Sequence, residues 1–224
     1  MTKELVDQKI NNVPDFLKGK ENQGRGNENL TSEDIKPNRL ILCQKLTTES
    51  VCSKQFKAGD IVNTYDDSVR TEMTLCFIKF EPGYVVREAG STGLEGLKGY
   101  FNTKHAAENV LNSEPNLKMN PSFKHYCLAI DGDDRYPVVL PITTWGTFKQ
   151  SHKQLNTLFT RLPHDRFAYK IKVSTIKDPT HENNYIYSFS LEGFVDANTY
   201  KEAERLYEVS KTQKNEENID NSEY

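Results

Sequence analysis

Two runs near the end of the chain, RFAYKIKVST (166–175) and YIYSFSLEGF (185–194), alternate between apolar and polar side chains. A period of two sends successive side chains to opposite faces of a strand, so both runs read as half-buried β structure. In the first, Phe167, Tyr169, Ile171 and Val173 share one face, and Arg166, Lys170 and Lys172 share the other. In the second, Tyr185, Tyr187, Phe189 and Leu191 oppose Ile186, Ser188 and Ser190. A short link over 177–182 makes the pair a hairpin. Aliphatics continue both aromatic stripes, as on a core-facing surface.

The rest of the chain extends this β character. TEMTLCFIKF (71–80), the turn residues EPG (81–83) and YVVRE (84–88) read as a second hairpin. Further strands are expected over 39–44, 123–130 and 136–142, the last two joined by DGDDR. Helices are expected over 103–111, 146–160 and 197–211. The second carries Trp145, Phe148, Leu155, Leu158, Phe159 and Leu162 at helical spacing, and the third follows Asp196 as N-cap. This is a mainly β domain with peripheral helices (α+β), built as a small β-barrel or a curved sheet over 39–211. Residues 1–38 are polar, with Gly19, Gly24, Gly26, Pro14 and Pro37, and read as a flexible N-terminal arm. Residues 212–224 end in NEENIDNSEY, which has four carboxylates and no cation. Such a stretch cannot offset its ordering entropy and is expected to be a disordered acidic tail.

The formal charge of −3 conceals an asymmetry. Between Thr143 and Lys177 stand Lys149, Lys153, Arg161, Arg166, Lys170, Lys172 and Lys177, opposed by Asp165 alone. A clustered cationic stretch in an acidic protein is the footprint of a polyanion binder. Its long side chains would follow a phosphate backbone, releasing counterions. Ring stacking would fall to Trp145, Tyr136 or Tyr169, with Tyr84 and Tyr100 as further candidates. Trp145 serves equally as the first core anchor of its helix.

Enzyme signatures are scarce. The loop GSTGLEGLKG lacks the register of a phosphate-binding P-loop, no G-x-S-x-G occurs, and the histidines are dispersed. Asp131, Asp133 and Asp134 could bind a divalent ion, and a nuclease-type enzyme would use Asp131, Asp133 or Glu72 with one, although DGDD between two strands is first of all a turn. Cys43, Cys52, Cys76 and Cys127 show no zinc-ligand spacing and are expected as reduced thiols, Cys76 within a strand as a buried one. No cofactor is expected. The chain has neither an apolar run long enough to span a bilayer nor a secretion signal at its start, so the cytoplasm is the expected location.

The stretch GRGNENLTSEDIKPNRLILCQ (24–44), then VVLPITTWGTFKQSHKQLNTL, the basic strand, the aromatic strand ending in EGFVD and the terminal helix resemble, in order, a group of small tailed-phage proteins from replication and recombination gene blocks. In tail and charge layout the chain also resembles phage single-stranded DNA-binding proteins. That resemblance implies an OB-like β-barrel, a groove for single-stranded DNA, and a tail (Glu216, Glu217, Asp220, Glu223 and Tyr224) that contacts the phage DNA polymerase and helicase. The tail departs from the pattern in being diluted by Asn and ending in Tyr. The reading is a non-catalytic protein coating single strands, with a homodimer left open. Two others stand beside it: an interaction protein docking an acidic host or virion protein, and a metal-dependent recombination or nuclease enzyme.

Overall fold

The computed structural model describes residues 38–44, 56–91, 96–143, 148–180 and 184–220, without the side chains of 143, 148, 149 and 212–220. The chain divides into two units, Met1–Lys36 and Pro37–Tyr224, and the described residues belong to the second. Apart from Asn38, the expected arm lies outside them.

The described strands are β1 (Leu40–Leu42), β2 (Ile61–Asn63), β3 (Val69–Arg70), β4 (Glu72–Glu88), β5 (Leu97–Phe101), β6 (Leu117–Asp131), β7 (Asp134–Thr143), β8 (Tyr169–Lys177) and β9 (Tyr185–Phe194). The helices are α1 (Lys104–Ser113), α2 (Phe148–Thr160) and α3 (Ala197–Asp220), with a 3-10 turn at Arg166–Ala168. Six strands form an antiparallel sheet in the order β7-β6-β4-β8-β9, with β5 also paired to β4, while β1, β2 and β3 make a separate small sheet.

Alternation along β4 feeds two cores. Leu75 and Phe77 join Tyr169, Ile171, Val173, Tyr187 and Phe189 on one face, covered by Leu40, Leu42 and Ile61 of the small sheet and by Leu155 of α2. Cys76 and Ile78 join Leu128 and Phe167 on the other, under Ala203, Leu206 and Tyr207 of α3. Each fully buried large side chain contributes about 1.5–3 kcal/mol, and helices on both faces leave the centre of the sheet dry. Asp196 caps α3 as expected, accepting from the N–H groups of Asn198 and Thr199, and Thr103 caps α1.

Five expectations are corrected. First, the strands do not close into a barrel, so the OB-like closure is not met and the curved-sheet alternative stands; β7 and β9 remain edges. Closure needs a continuous ladder between first and last strands. Here the β1 segment only straps the two edges. Val139 N–H donates to the Asn38 carbonyl at 2.9 Å beside the single bridge Arg39–Val139. At the other edge the Gln44 amide exchanges two 2.7 Å bonds with the backbone of Tyr185.

Second, EPG is no turn: β4 runs straight through Glu81, Pro82 and Gly83. β8 pairs with β4 over Glu72–Leu75 and β5 over Tyr84–Arg87, so Pro82 has a strand on one side only, where a missing N–H is tolerated. A Cβ on Gly83 would stand 3.0 Å from the Phe101 carbonyl oxygen, so glycine admits β5. Third, β2, β3 and β5 are strands where none was expected; they are short and weakly alternating. Fourth, α3 runs nine residues past Lys211 and takes in Glu216, Glu217 and Asp220, because no Gly or Pro interrupts 197–220. Glu223 and Tyr224 lie outside the described residues. Fifth, Cys76 and Cys127 are free, buried thiols, but Cys43 is disulfide-bonded, against the expectation of reduced cysteines; Cys52 lies outside the described residues.

Candidate nucleic-acid interface

The cationic window does not form one surface. Lys153 and Arg161 are exposed, on α2 and just beyond it, and Lys149 lies on α2 with its side chain undescribed. Lys170 and Lys172 leave β8 on the face opposite α2, because Tyr169, Ile171 and Val173 fill the core beneath that helix. Lys172 is held by Glu72 at 2.8 Å. Tyr169 is 2 % exposed and offers no stacking face. Tyr136 packs partly buried against the main core. Trp145 lies outside the described residues.

Tyr136 and Lys172 line a cleft of about 190 Å³ with Arg70, Glu72, Asp131 and Glu192. Both of its cations are held by carboxylates, Arg70 by Asp131 and Lys172 by Glu72, while Glu192 accepts from the Thr74 hydroxyl at 2.8 Å and leaves the lining with a net negative charge. Of the carboxylates considered for a metal, Asp131 and Glu72 are thus engaged with cations. No group of three His, Cys, Asp or Glu side chains able to hold a metal occurs among the described residues.

Arg166 departs furthest from expectation. The 3-10 turn that precedes β8 swings its side chain under α2, with the guanidinium 4.3 Å from the Phe159 ring centroid and 5.0 Å from that of Phe80. Phe80 reaches this face because β4 carries a bulge at Ile78, between the pairs Phe77–Cys127 and Lys79–Tyr126. The extra residue resets the alternation, so Phe77 and Phe80 both point at His125.

A hydrogen-bonded chain follows. Arg166 donates to Asn156 Oδ1 at 3.2 Å, and Asn156 Nδ2 donates to His152 Nε2 at 2.9 Å. His152 Nδ1 then carries the proton shared with His125 Nε2 at 3.3 Å, which leaves the buried His125 Nδ1 as an N–H without a partner. The His152 ring stacks on Phe123 with centroids 3.6 Å apart. Burial, then the Arg166 charge, pushes the pKa of His125 well below and that of His152 below the usual histidine value. Burial likewise lowers that of Arg166. This chain runs from the partly buried Arg166 and Asn156 into the buried pair His152 and His125.

An open groove lies nearby, where β9 runs into α3. Gly193 adopts φ +141°, a backbone conformation that residues with a side chain rarely adopt, although the space around it is open. Beside it β8 and β9 slip register between Lys170 and Ile171. Phe194 beyond the bulge pairs with Tyr169 yet is 64 % exposed. Its ring lies 5.8 Å from the edge-on ring of His164. The His164 N–H donates to the Tyr169 hydroxyl at 3.1 Å, fixing the loop after α2 against the sheet. With Pro163, Asp165, Tyr200 and Lys201 these side chains line a groove of about 850 Å³. Pro163, His164, Asp165 and Ala168 of its lining belong to the cationic window, and none of them is one of the window's Lys or Arg residues; Asp165 is its lone acid. Phe194, Tyr200 and Lys201 went unnoticed as site residues, although a Glu-Gly-Phe ending on an aromatic strand is the composition of a bulge that re-aims a ring.

The architecture defines a mainly β, α+β protein in which no described helix is long and apolar enough to cross a membrane. The chain belongs to the Pam3 phage gp34-like protein family, whose model matches residues 6–216, and is of phage origin. No curated protein and no solved structure matches it.

Proposed function

We propose that the protein binds single-stranded DNA during phage replication or recombination, as a non-catalytic protein of the host cytoplasm. The observation that carries this is the exposed Phe194 ring in a groove that also holds Lys201. An exposed aromatic with a cation beside it is what stacking on an unpaired base requires, and duplex bases offer no free face to such a ring. Lys153 and Arg161 are free to follow the backbone; Lys170 and Lys172 are not part of this surface. The acidic end, including Glu216, Glu217 and Asp220, serves on this reading to contact replication partners such as the polymerase and helicase.

Fluorescence anisotropy with a labelled mixed-sequence single strand and its duplex, across a salt series, tests the proposal. Single-strand binding is expected to weaken steeply with salt and to exceed duplex binding. Phe194→Ala removes one stacking ring, at about 1–3 kcal/mol, and weakens binding roughly 5- to 150-fold. Absence of binding to either form at low salt overturns the proposal.

A further inference from the structure

The groove contains a carboxylate, and a carboxylate is out of place where a phosphate must sit. Asp165 stands at the N-terminal position of the 3-10 turn, yet its side chain makes no cap bond there. The contact shown for it is a long one, 3.3 Å from the Tyr200 hydroxyl. It is exposed and lines the groove with Phe194 and Lys201. Kept off its own backbone and lining the same groove as the exposed Phe194 ring, the carboxylate has Oδ1 and the second lone pair of Oδ2, whose first accepts from Tyr200, for a donor brought by whatever stacks on that ring. Phosphate oxygens would be repelled, so the backbone passes outside and the groove interior takes a base.

The donors on the base edges then decide between bases. Guanine presents N1–H and N2–H2 side by side, a fork that both oxygens of a carboxylate can accept. Cytosine and adenine offer an amino group beside a ring nitrogen acceptor, which faces the second oxygen with a lone pair. Thymine sets its single N3–H between two carbonyl oxygens. Resting on the single-strand reading above, we infer that Asp165 makes this groove a guanine site, with the base stacked on Phe194 and its Watson–Crick edge on the Asp165 carboxylate.

The test compares labelled oligo-dT, the same strand with three spaced dG, and the same strand with inosine at those positions, which keeps N1–H but lacks the amino group. The wild-type protein is expected to bind the dG strand about tenfold tighter than oligo-dT, with the inosine strand between, in line with the discrimination of a bidentate base contact. Asp165→Asn is expected to reduce the preference for the dG strand over oligo-dT to less than threefold. If all three strands bind the wild type alike and Phe194→Ala weakens each equally, the guanine assignment falls and single-strand binding stands. If no strand binds at low salt, both fall. The wild-type comparison does not depend on how well the variant folds.

Discussion

Substituting His125 by Phe should make the protein more resistant to mild acid. His125 is fully buried, and its Nε2 already accepts from His152. A proton added there breaks that bond and places a second positive charge near Arg166, whose charge already lowers the His125 pKa in addition to burial. The native state therefore keeps the imidazole neutral, while the unfolded chain titrates near the ordinary value of 6.5. Below that value the unfolded state binds the extra proton, so stability falls as pH falls and is unaffected well above it. While His125 stays neutral in the native state, the loss from this one group between pH 7.5 and 5.0 is about 2 kcal/mol. His152 adds to it in the same direction. Carboxylates such as Asp196, held low chiefly by bonds from Thr199, lose their contribution at lower pH and leave the window to the histidines. Phe keeps a ring against Phe77 and Phe80 and removes both the titration and the orphan N–H. Urea unfolding at pH 7.5, 6.5, 5.5 and 5.0 should show the variant losing about 2 kcal/mol less than wild type across the range. Equal losses in both proteins, or a wild type whose stability is flat from 7.5 to 5.0, would refute the reasoning.

Phe77→Ala empties a site edged by three aromatic rings, those of His125, Phe159 and Phe189, and should cost about 3–5 kcal/mol in urea unfolding. Gln44→Ala should cost about 1–3 kcal/mol by leaving the Tyr185 backbone unbonded, with faster hydrogen exchange at that amide as the local signature. Gly83→Val drives a side chain against the Phe101 carbonyl and should cost about 1–3 kcal/mol, read as faster exchange over β5. Removing Lys170 and Lys172 together should change single-strand affinity less than twofold, whereas Lys153→Glu with Lys201→Glu should weaken it more than tenfold at low salt.

Much of the framework was legible because burial enforces periodicity. The β8–β9 hairpin, the helices near 104, 148 and 197, and the Asp196 cap follow from which positions had to be apolar. What escaped were places where one residue resets the pattern. The bulge at Ile78 turns Phe80 to the side of Phe77, and no count of alternate positions reveals a slipped register. Arg166 sits at an outward position of an ideal strand, but its residue belongs to the 3-10 turn before the strand begins. Lys172 looked free because Glu72, its partner, lies a hundred residues away on β4. For the same reason the groove at Phe194 was read only as the end of a core strand: exposure there depends on the neighbouring loop and helix, not on its own sequence.

The strap formed by Asn38–Gln44 sets an order of events in the making of this protein. Its residues leave the ribosome early, but the edges they hold, at Pro137 and Val139 and then at Tyr185, are synthesised long after. The Gln44–Tyr185 bond spans 141 positions, so its loop must close against considerable chain entropy. Until β9 emerges, the strap has no second anchor and one side of the sheet stays unshielded. Folding should accordingly be slow for a domain of this size, with the unguarded edge strands of the nascent chain as the point where self-association competes.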